Sequence, residues 1–145
     1  MDKVILIDAF FKVLIGEIFS SEIMNENFKT YILIKLDDLK FKISKVRVAG
    51  KVLRVNYRGK FWDCVIFDDT GNILLREWEK SGKLLSKLRV NDVIDVYALL
   101  RKFKETIYLV PKIIVQIDER ALNERPNEIL RVREKLAKII KYQNG

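Results

Sequence analysis

The sequence predicts a mainly β fold built around a small five-stranded barrel. Alternating apolar and polar segments recur between Val46 and Ile117, and turn sequences containing glycine or asparagine separate them. A short helix-like stretch lies between the third and fourth segments. Three strands, a helical crossing and two more strands are the order of an OB fold, a five-stranded Greek-key barrel. An SH3-like barrel is the structural alternative.

The first three strands are predicted from alternation and from their turns. Val46 and Val48 lie on one side of the first strand, which ends before a turn at 57–59. A turn at Asp69–Asn72 follows the second strand, and we expect Gly71 to supply its positive φ. The five predicted barrel strands are 46–55, 60–67, 73–78, 93–102 and 107–117.

An aspartate and a proline help to place the last two predicted strands in the barrel. Ile94 and Val96 fall on one side of the fourth strand, and Asp95 and Tyr97 fall on the other. Because successive side chains of a strand point to opposite faces, we expect the side with Asp95 to face solvent. The fifth strand contains Pro111, which fits an edge strand or a β-bulge.

Residues 1–45 are predicted to form an N-terminal extension that packs on the OB fold at 46–118. Residues 3–19 are apolar and fit a buried strand or a helix, since periodicity alone does not separate the two. Ser20-Ser21 and Met24–Asn27 have the composition of a loop. Alternation predicts a strand at 29–36.

Residues 119–145 are predicted to carry a C-terminal amphipathic α-helix, at about 126–142, for subunit association. Apolar residues recur there at helical spacing while charged residues occupy the other faces. Pro126 fits the first turn. The apolar stripe needs a cover, and the chain's own barrel or a partner subunit explains it equally well. The stripe consists of Ile129, Val132, Leu136, Ile139 and Ile140.

The positive charge of the chain is concentrated in the predicted barrel. The net charge is +8, and residues 46–104 hold thirteen Lys or Arg against seven Asp or Glu. Residues 1–45 are neutral overall, with seven side chains of each sign. An unbalanced positive barrel favours a polyanionic partner.

Composition excludes most catalytic and metal chemistry. The chain has no histidine and one cysteine, Cys64, so the usual acid–base group and most zinc ligand sets are missing. Asp69-Thr70-Gly71 spells the aspartic protease triplet, but these are ordinary turn residues. We expect a binding protein that is not an enzyme, with no cofactor and no metal. A lone cysteine in an apolar strand, with no membrane span or signal segment, fits a cytoplasmic setting.

Two aromatic residues beside cations are the candidate binding site. Trp78 shares strand parity with Arg76, opposite the apolar Ile73 and Leu75, so both should face outward. Phe103 lies in a turn between lysines. Exposed aromatics among cations suit a single-stranded nucleic acid, whose bases stack and whose phosphates are negative. The predicted nucleic-acid-binding residues are Trp78, Phe103, Arg76, Arg101, Lys102, Lys104, Arg54, Tyr57 and Arg58.

Several of these segments resemble the OB fold of the middle subunit of replication protein A. The similar segments are Phe67–Gly71, Leu75–Trp78, Asn91–Val96 and Leu100–Lys104. The flanks are similar to archaeal proteins related to replication protein A, in which an Ile-Val-Xaa-Ile-Asp-Glu segment leads into a terminal helix. Here that segment is Ile114–Glu119. Telomere-capping proteins share the same barrel.

The resemblance implies a single-stranded DNA-binding subunit with roles in DNA replication and repair. Trp78 and Phe103 would be its stacking residues, and its terminal helix would join sister subunits or a second copy of the chain. It also implies a chromosome-associated protein in the cytoplasm, without a membrane partner. The alternative is an OB subunit that does not bind DNA and scaffolds larger subunits. DNA versus RNA, strand polarity, site size and the number of partners stay open.

Overall fold

The structure is a computed structural model that describes residues 3–144. The elements run in chain order, and their bounds define the labels used below. They are β1 (Lys3–Ile7), β2 (Phe11–Lys12), α1 (Ile15–Ser20), β3 (Glu22–Glu26), β4 (Lys29–Leu36), β5 (Leu39–Ile43), β6 (Lys45–Tyr57), β7 (Trp62–Asp68), β8 (Gly71–Glu77), a 3₁₀ segment (Leu85–Lys87), β9 (Val93–Phe103), β10 (Thr106–Gln116) and α2 (Glu119–Asn144). None of the helices within residues 3–144 is long and apolar enough to cross a bilayer.

Strands β6 to β10 form a closed barrel. β6 pairs with β7 and β7 with β8, β8 runs parallel to β10, and β9 pairs with both β10 and β6. This strand order confirms the predicted OB fold. Between β8 and β9, where the sequence predicts a short helix, the chain makes only the three-residue 3₁₀ segment.

Alternation fills the barrel interior with aliphatic side chains. Most of the side chains that point into the barrel are buried, and they form a single core with the N-terminal strands. Parts of β7 and β9 are buried on both sides. Two β-bulges interrupt the ladders, at Val52–Arg54 of β6 and at Pro111–Ile113 of β10. A bulge lets a strand bend and tolerates a residue without an N–H, so the prediction for Pro111 is confirmed.

The N-terminal residues form a second sheet, in the order β1-β5-β4-β3. The predicted strand at 29–36 is confirmed as β4. The predicted loop at Met24–Asn27 is wrong, because most of it belongs to β3, which pairs with β4. Asn27 and Phe28 both have positive φ, which is the conformation of a two-residue hairpin turn.

The C-terminal helix begins earlier than the sequence predicts. Asp118 Oδ1 accepts a hydrogen bond from the Ala121 N–H at 2.8 Å, so the aspartate caps a helix that starts at Glu119. Pro126 therefore lies inside α2 and not in its first turn, which corrects the predicted start at 126.

The turn between β7 and β8 is closed by an aspartate and not by glycine. Asp68 Oδ1 accepts hydrogen bonds from the N–H groups of Thr70, at 2.7 Å, and Gly71, at 3.1 Å. Gly71 has no positive φ, so that expectation is wrong. The close approach instead falls at Gly16 of α1, where a Cβ would lie 2.8 Å from Thr70 Cβ.

The outer side of β9 is covered at Asp95, which contradicts the expectation that it faces solvent. Asp95 is 3% exposed. Its Oδ2 accepts a hydrogen bond from Arg47 Nη2 on β6 and another from Arg125 Nη2 on α2, both at 2.7 Å. One carboxylate therefore bridges two guanidinium groups beneath α2, and the helix covers this side of the barrel.

Candidate nucleic-acid interface

The outward face of β7, β8, β10 and β9 carries the two predicted stacking aromatics. Trp78, directly after β8, is 53% exposed, and Phe103, at the end of β9, is 65% exposed. Ile73 and Leu75, which have the opposite parity to Trp78, are buried. The predicted exposure of both rings is confirmed, and their binding role stays a prediction.

At the Trp78 end of this face, an arginine lies among three aromatic rings. Arg76 Cζ lies 4.2 Å from the ring centre of Phe61, 5.5 Å from that of Tyr108 and 5.6 Å from that of Trp78. The rings of Phe61 and Trp78 are 5.0 Å apart and tilted by 59°. Cation–π and ring–ring contacts of this kind hold the indole in place while one side of it stays in water.

Asp63 orients the cations of this aromatic cluster. Its Oδ1 accepts a hydrogen bond from Arg76 Nε at 3.0 Å, and its Oδ2 accepts a weaker one from Arg58 Nε at 3.4 Å. The Asp63 side chain is mostly buried, whereas Arg58 is half exposed. Arg76 is therefore fixed as a positioning group, and Arg58 is the freer cation for a phosphate.

Phe103 lies at the far end of the same face. Tyr108 pairs with Leu74 of β8 and with Arg101 of β9, and Phe103 pairs with Thr106, two residues earlier on β10. Phe103 is thus level with Asn72 on β8. Asn72 is six residues before Trp78, so the two rings lie about 20 Å apart along the strand direction, at roughly 3.3 Å per residue.

Cationic side chains flank Phe103. Lys104 Nζ lies 5.6 Å from the Phe103 ring centre. Arg101 and Lys102 are half-buried beside it.

The first barrel hairpin distributes its predicted site residues over two faces. Arg54 is exposed and pairs with Val65 of β7. Val65 and Asp63 lie on the same face of β7, so Arg54 lies on the side of the barrel that carries Asp63. Tyr57 instead pairs with Trp62, and their ring centres are 5.2 Å apart. The Tyr57 hydroxyl donates a hydrogen bond to the Gly59 carbonyl at 2.7 Å. Tyr57 therefore packs away from the cluster around Trp78.

The sequence prediction misses two residues of this face, Phe61 and Tyr108. Phe61 contacts Trp78 and Arg76. The sequence signal that places Tyr108 on the outward face is its position between Ile107 and Leu109, which are both buried. The signal for Phe61 is weaker, because it lies in the turn before β7, where parity is not defined.

The predicted interface residues of α2 fall on two sides of the helix. Ile129 is buried against the chain's own fold, and Leu136 and Ile140 pack partly against the core. Val132 and Ile139 remain 44% and 55% exposed. The chain's own fold covers the first side, and the second side is open to solvent.

The possible metal-ligating side chains of the described residues lie apart, and Cys64 is buried. Within residues 3–144, no three His, Cys, Asp or Glu side chains come close enough to hold a metal ion. Burial raises the pKa of the Cys64 thiol to about 12, and the charge of Asp63 adds to this effect. The thiol stays protonated near neutral pH, so it is not a nucleophile.

Comparison with known proteins supports the architecture. The chain is 17% identical to one chain of a replication protein A heterotrimer bound to ssDNA, covering 88% of this chain and 98% of that one, with a TM-score of 0.69. It is 12% identical to a chain of the S. pombe Stn1–Ten1 complex, covering 94% and 99%, with a TM-score of 0.74. At this identity the similarity concerns the fold, and it confirms the resemblance at that level.

The sequence itself identifies a relative. No protein-family model matches the chain. It is 30% identical over 144 residues to a Thermofilum pendens protein described as an uncharacterized 18.7 kDa protein in the ribosomal RNA operon, covering 97% of this chain and 84% of that protein. The chain therefore belongs to the same family as this 18.7 kDa protein.

Proposed function

We propose that the protein is a single-stranded DNA-binding subunit of a replication protein A-like complex. The observation that carries the proposal is the pair of exposed rings, Trp78 and Phe103, at opposite ends of one barrel face. In the proposed complex the nucleic-acid strand crosses β8 and β10, which lie between these rings, and the binding surface is not catalytic. The fold similarity to a chain of a replication protein A heterotrimer supports this proposal.

The expected stacking energies predict a moderate affinity of this face for single-stranded DNA. A base stacked on an aromatic side chain contributes about 1–3 kcal/mol, and the stacking tolerates any sequence. The cluster of Phe61, Arg76, Trp78 and Tyr108 is already assembled, so little side-chain ordering is needed on binding. One OB fold covers about 4–16 nucleotides, and a face about 20 Å long suits the low end of that range.

A fluorescence titration tests the proposal. We expect a single-stranded oligonucleotide to quench Trp78 emission, whereas a duplex of the same sequence leaves it nearly unchanged. Arg58, Arg101, Lys102 and Lys104 provide about four phosphate contacts, so the logarithm of affinity should fall with the logarithm of salt at a slope of about −3. The Trp62→Phe variant serves as the control that assigns the signal to Trp78. Equal quenching by duplex, or affinity independent of salt, contradicts the proposal.

A second role, assembly of larger subunits, is favoured by the open side of α2. Val132, Ile139 and Tyr142 are exposed apolar or aromatic residues that lie within about 80° of one another around this helix, at roughly 100° per residue. We infer that this outer face docks a sister subunit, or a second copy of the chain, by helix packing. If the barrel itself does not bind DNA, this face carries the function, as a scaffold.

One substitution on the outer face separates assembly from DNA binding. Ile139→Glu puts a charge on the proposed docking face and should abolish association in sedimentation velocity, while the affinity for oligonucleotide stays within about twofold. Deletion of α2 is a poorer test, because Ile129 and Ala137 are buried in the fold. Lys138→Glu is the matched control, since Lys138 is exposed and already charged. Association that survives Ile139→Glu excludes this face.

A further inference from the structure

A cavity lies between the first two turns of α2 and the barrel. Its volume is about 230 Å³, and its walls come from β6, the β7–β8 turn, the loop before α1 and the helix. Pockets for drug-sized ligands measure roughly 300–1,000 Å³, so this one suits a smaller molecule. It is separate from the cluster around Trp78, none of whose residues line it.

Arg125 lines this cavity and has unused hydrogen-bond donors. The residue is 5% exposed and lines the cavity wall. Its Nη2 donates to Asp95, but its Nε and Nη1 are buried without an acceptor among residues 3–144. Buried donors are nearly always satisfied in folded proteins, so these two point to a group that accepts hydrogen bonds.

Pro126 leaves a helical carbonyl without its usual hydrogen-bond donor on the same wall of the cavity. Proline has no N–H, so the Leu122 carbonyl four residues earlier lacks its helical donor. Leu122 and Pro126 both line the cavity, which places this side of the helix toward it. The helix wall of the cavity therefore includes a carbonyl that lacks its i+4 donor, three residues before Arg125.

The remaining walls favour a flat and neutral ligand over an anion. Phe67, Val13 and Ala49 provide apolar surface, and Lys51 at the wall is paired with Glu119 at 2.6 Å. Asp68 and Asp69 also line the cavity, so a phosphate or carboxylate placed there would face like charges.

We propose that this cavity binds a single nucleobase. The polar edge of a base carries an acceptor for Arg125 beside a donor for the Leu122 carbonyl, and its ring fits against Phe67 and Pro126. The base comes either from a free nucleoside or from a nucleotide of a bound strand. This site goes beyond the proposed function and does not depend on stacking at Trp78 or Phe103.

The test is a ¹H–¹⁵N NMR titration of the full chain with the deoxynucleosides, uridine and inorganic phosphate. We expect at least one nucleoside to shift the Arg125 Nε–H and the amide signals of Leu122 and Ala49, with millimolar affinity or tighter. A short oligonucleotide that shifts the same signals identifies the base of a bound strand as the source. No shift with any nucleoside or oligonucleotide overturns the proposal, and so does an equal response to phosphate.

The Pro126→Ala variant separates the site from simple helix packing. Alanine restores the N–H that the Leu122 carbonyl lacks, so the variant should melt at a higher temperature but bind the nucleoside at least fivefold more weakly. A merely structural role for this wall predicts higher stability with unchanged binding, which would overturn the proposal. Trp78→Ala is the matched control, since it should weaken oligonucleotide binding and leave nucleoside binding intact. Failure at this cavity is thereby distinguished from failure at the barrel face.

Discussion

Replacing Asp95 with asparagine is expected to destabilise the protein by about 3–5 kcal/mol, because two arginines then lose their only shared carboxylate. Arg125 Nη2 and Arg47 Nη2 each donate to Asp95 Oδ2 at 2.7 Å, beneath α2. Asparagine keeps the shape of the side chain but removes the charge that pairs with the buried Arg125 and the partly exposed Arg47. Urea denaturation followed by circular dichroism measures the change.

The same ion-pair cluster makes stability depend on pH in the acid range. Burial alone would raise the pKa of Asp95, but hydrogen bonds from Arg47 and Arg125 outweigh it and hold the pKa below its ordinary 3.8. A depressed pKa in the folded state means that the carboxylate stabilises the fold above about pH 4. That contribution is lost as the pH falls through the folded-state pKa.

Asp37→Asn is the matched control for this prediction. Asp37 pairs with Lys141 at 2.9 Å, but both side chains are more than half exposed. Exposed ion pairs contribute little, so this variant should lie within about 0.5 kcal/mol of the parent protein. If Asp95→Asn is equally mild, the cluster does not hold α2 on the barrel.

Replacing both Trp78 and Phe103 with alanine is expected to weaken single-stranded DNA binding by about 2–6 kcal/mol, at roughly 1–3 kcal/mol for each lost stacking contact. Fluorescence anisotropy with a labelled oligonucleotide measures the loss. The fold should remain intact, because both rings are exposed and outside the core.

Tyr142→Ala provides the control for nonspecific loss of an exposed aromatic. Tyr142 lies on α2 and is 89% exposed. We expect this variant to bind the oligonucleotide as the parent protein does. An unchanged affinity in the double variant would remove the barrel face from the proposal and leave the assembly role of α2.

The barrel could be predicted from sequence because each strand carries apolar residues at every second position over most of its length, and these residues form the core. Ile73, Leu75, Ile94 and Val96 all follow this rule. Alternation does not say what lies over the other face. At Asp95 a helix lies there instead of water, and the covering residue Arg125 is 30 positions away in the sequence.

The sequence prediction is wrong where one local sequence feature is compatible with two different structures. Pro126 is compatible with a first helical turn and also with a helix interior that has a cap at Asp118. Met24–Asn27 is polar like a loop, but β3 is an edge strand, and edge strands of a small sheet tolerate polar residues. For the candidate site, parity predicts the exposure of Trp78, whereas the contact with Phe61 depends on how a turn folds.

The packing of α2 has a consequence for how the chain folds during synthesis. The helix forms ion pairs with the N-terminal region through Lys12–Glu128, Glu17–Arg133 and Asp37–Lys141, which join residues more than 100 positions apart. Such long-range contacts form late, because a large loop must close first. Until residues 119–144 leave the ribosome, the surface around Asp95 and Glu17 stays uncovered, and a nascent chain at that stage is a natural client for a chaperone.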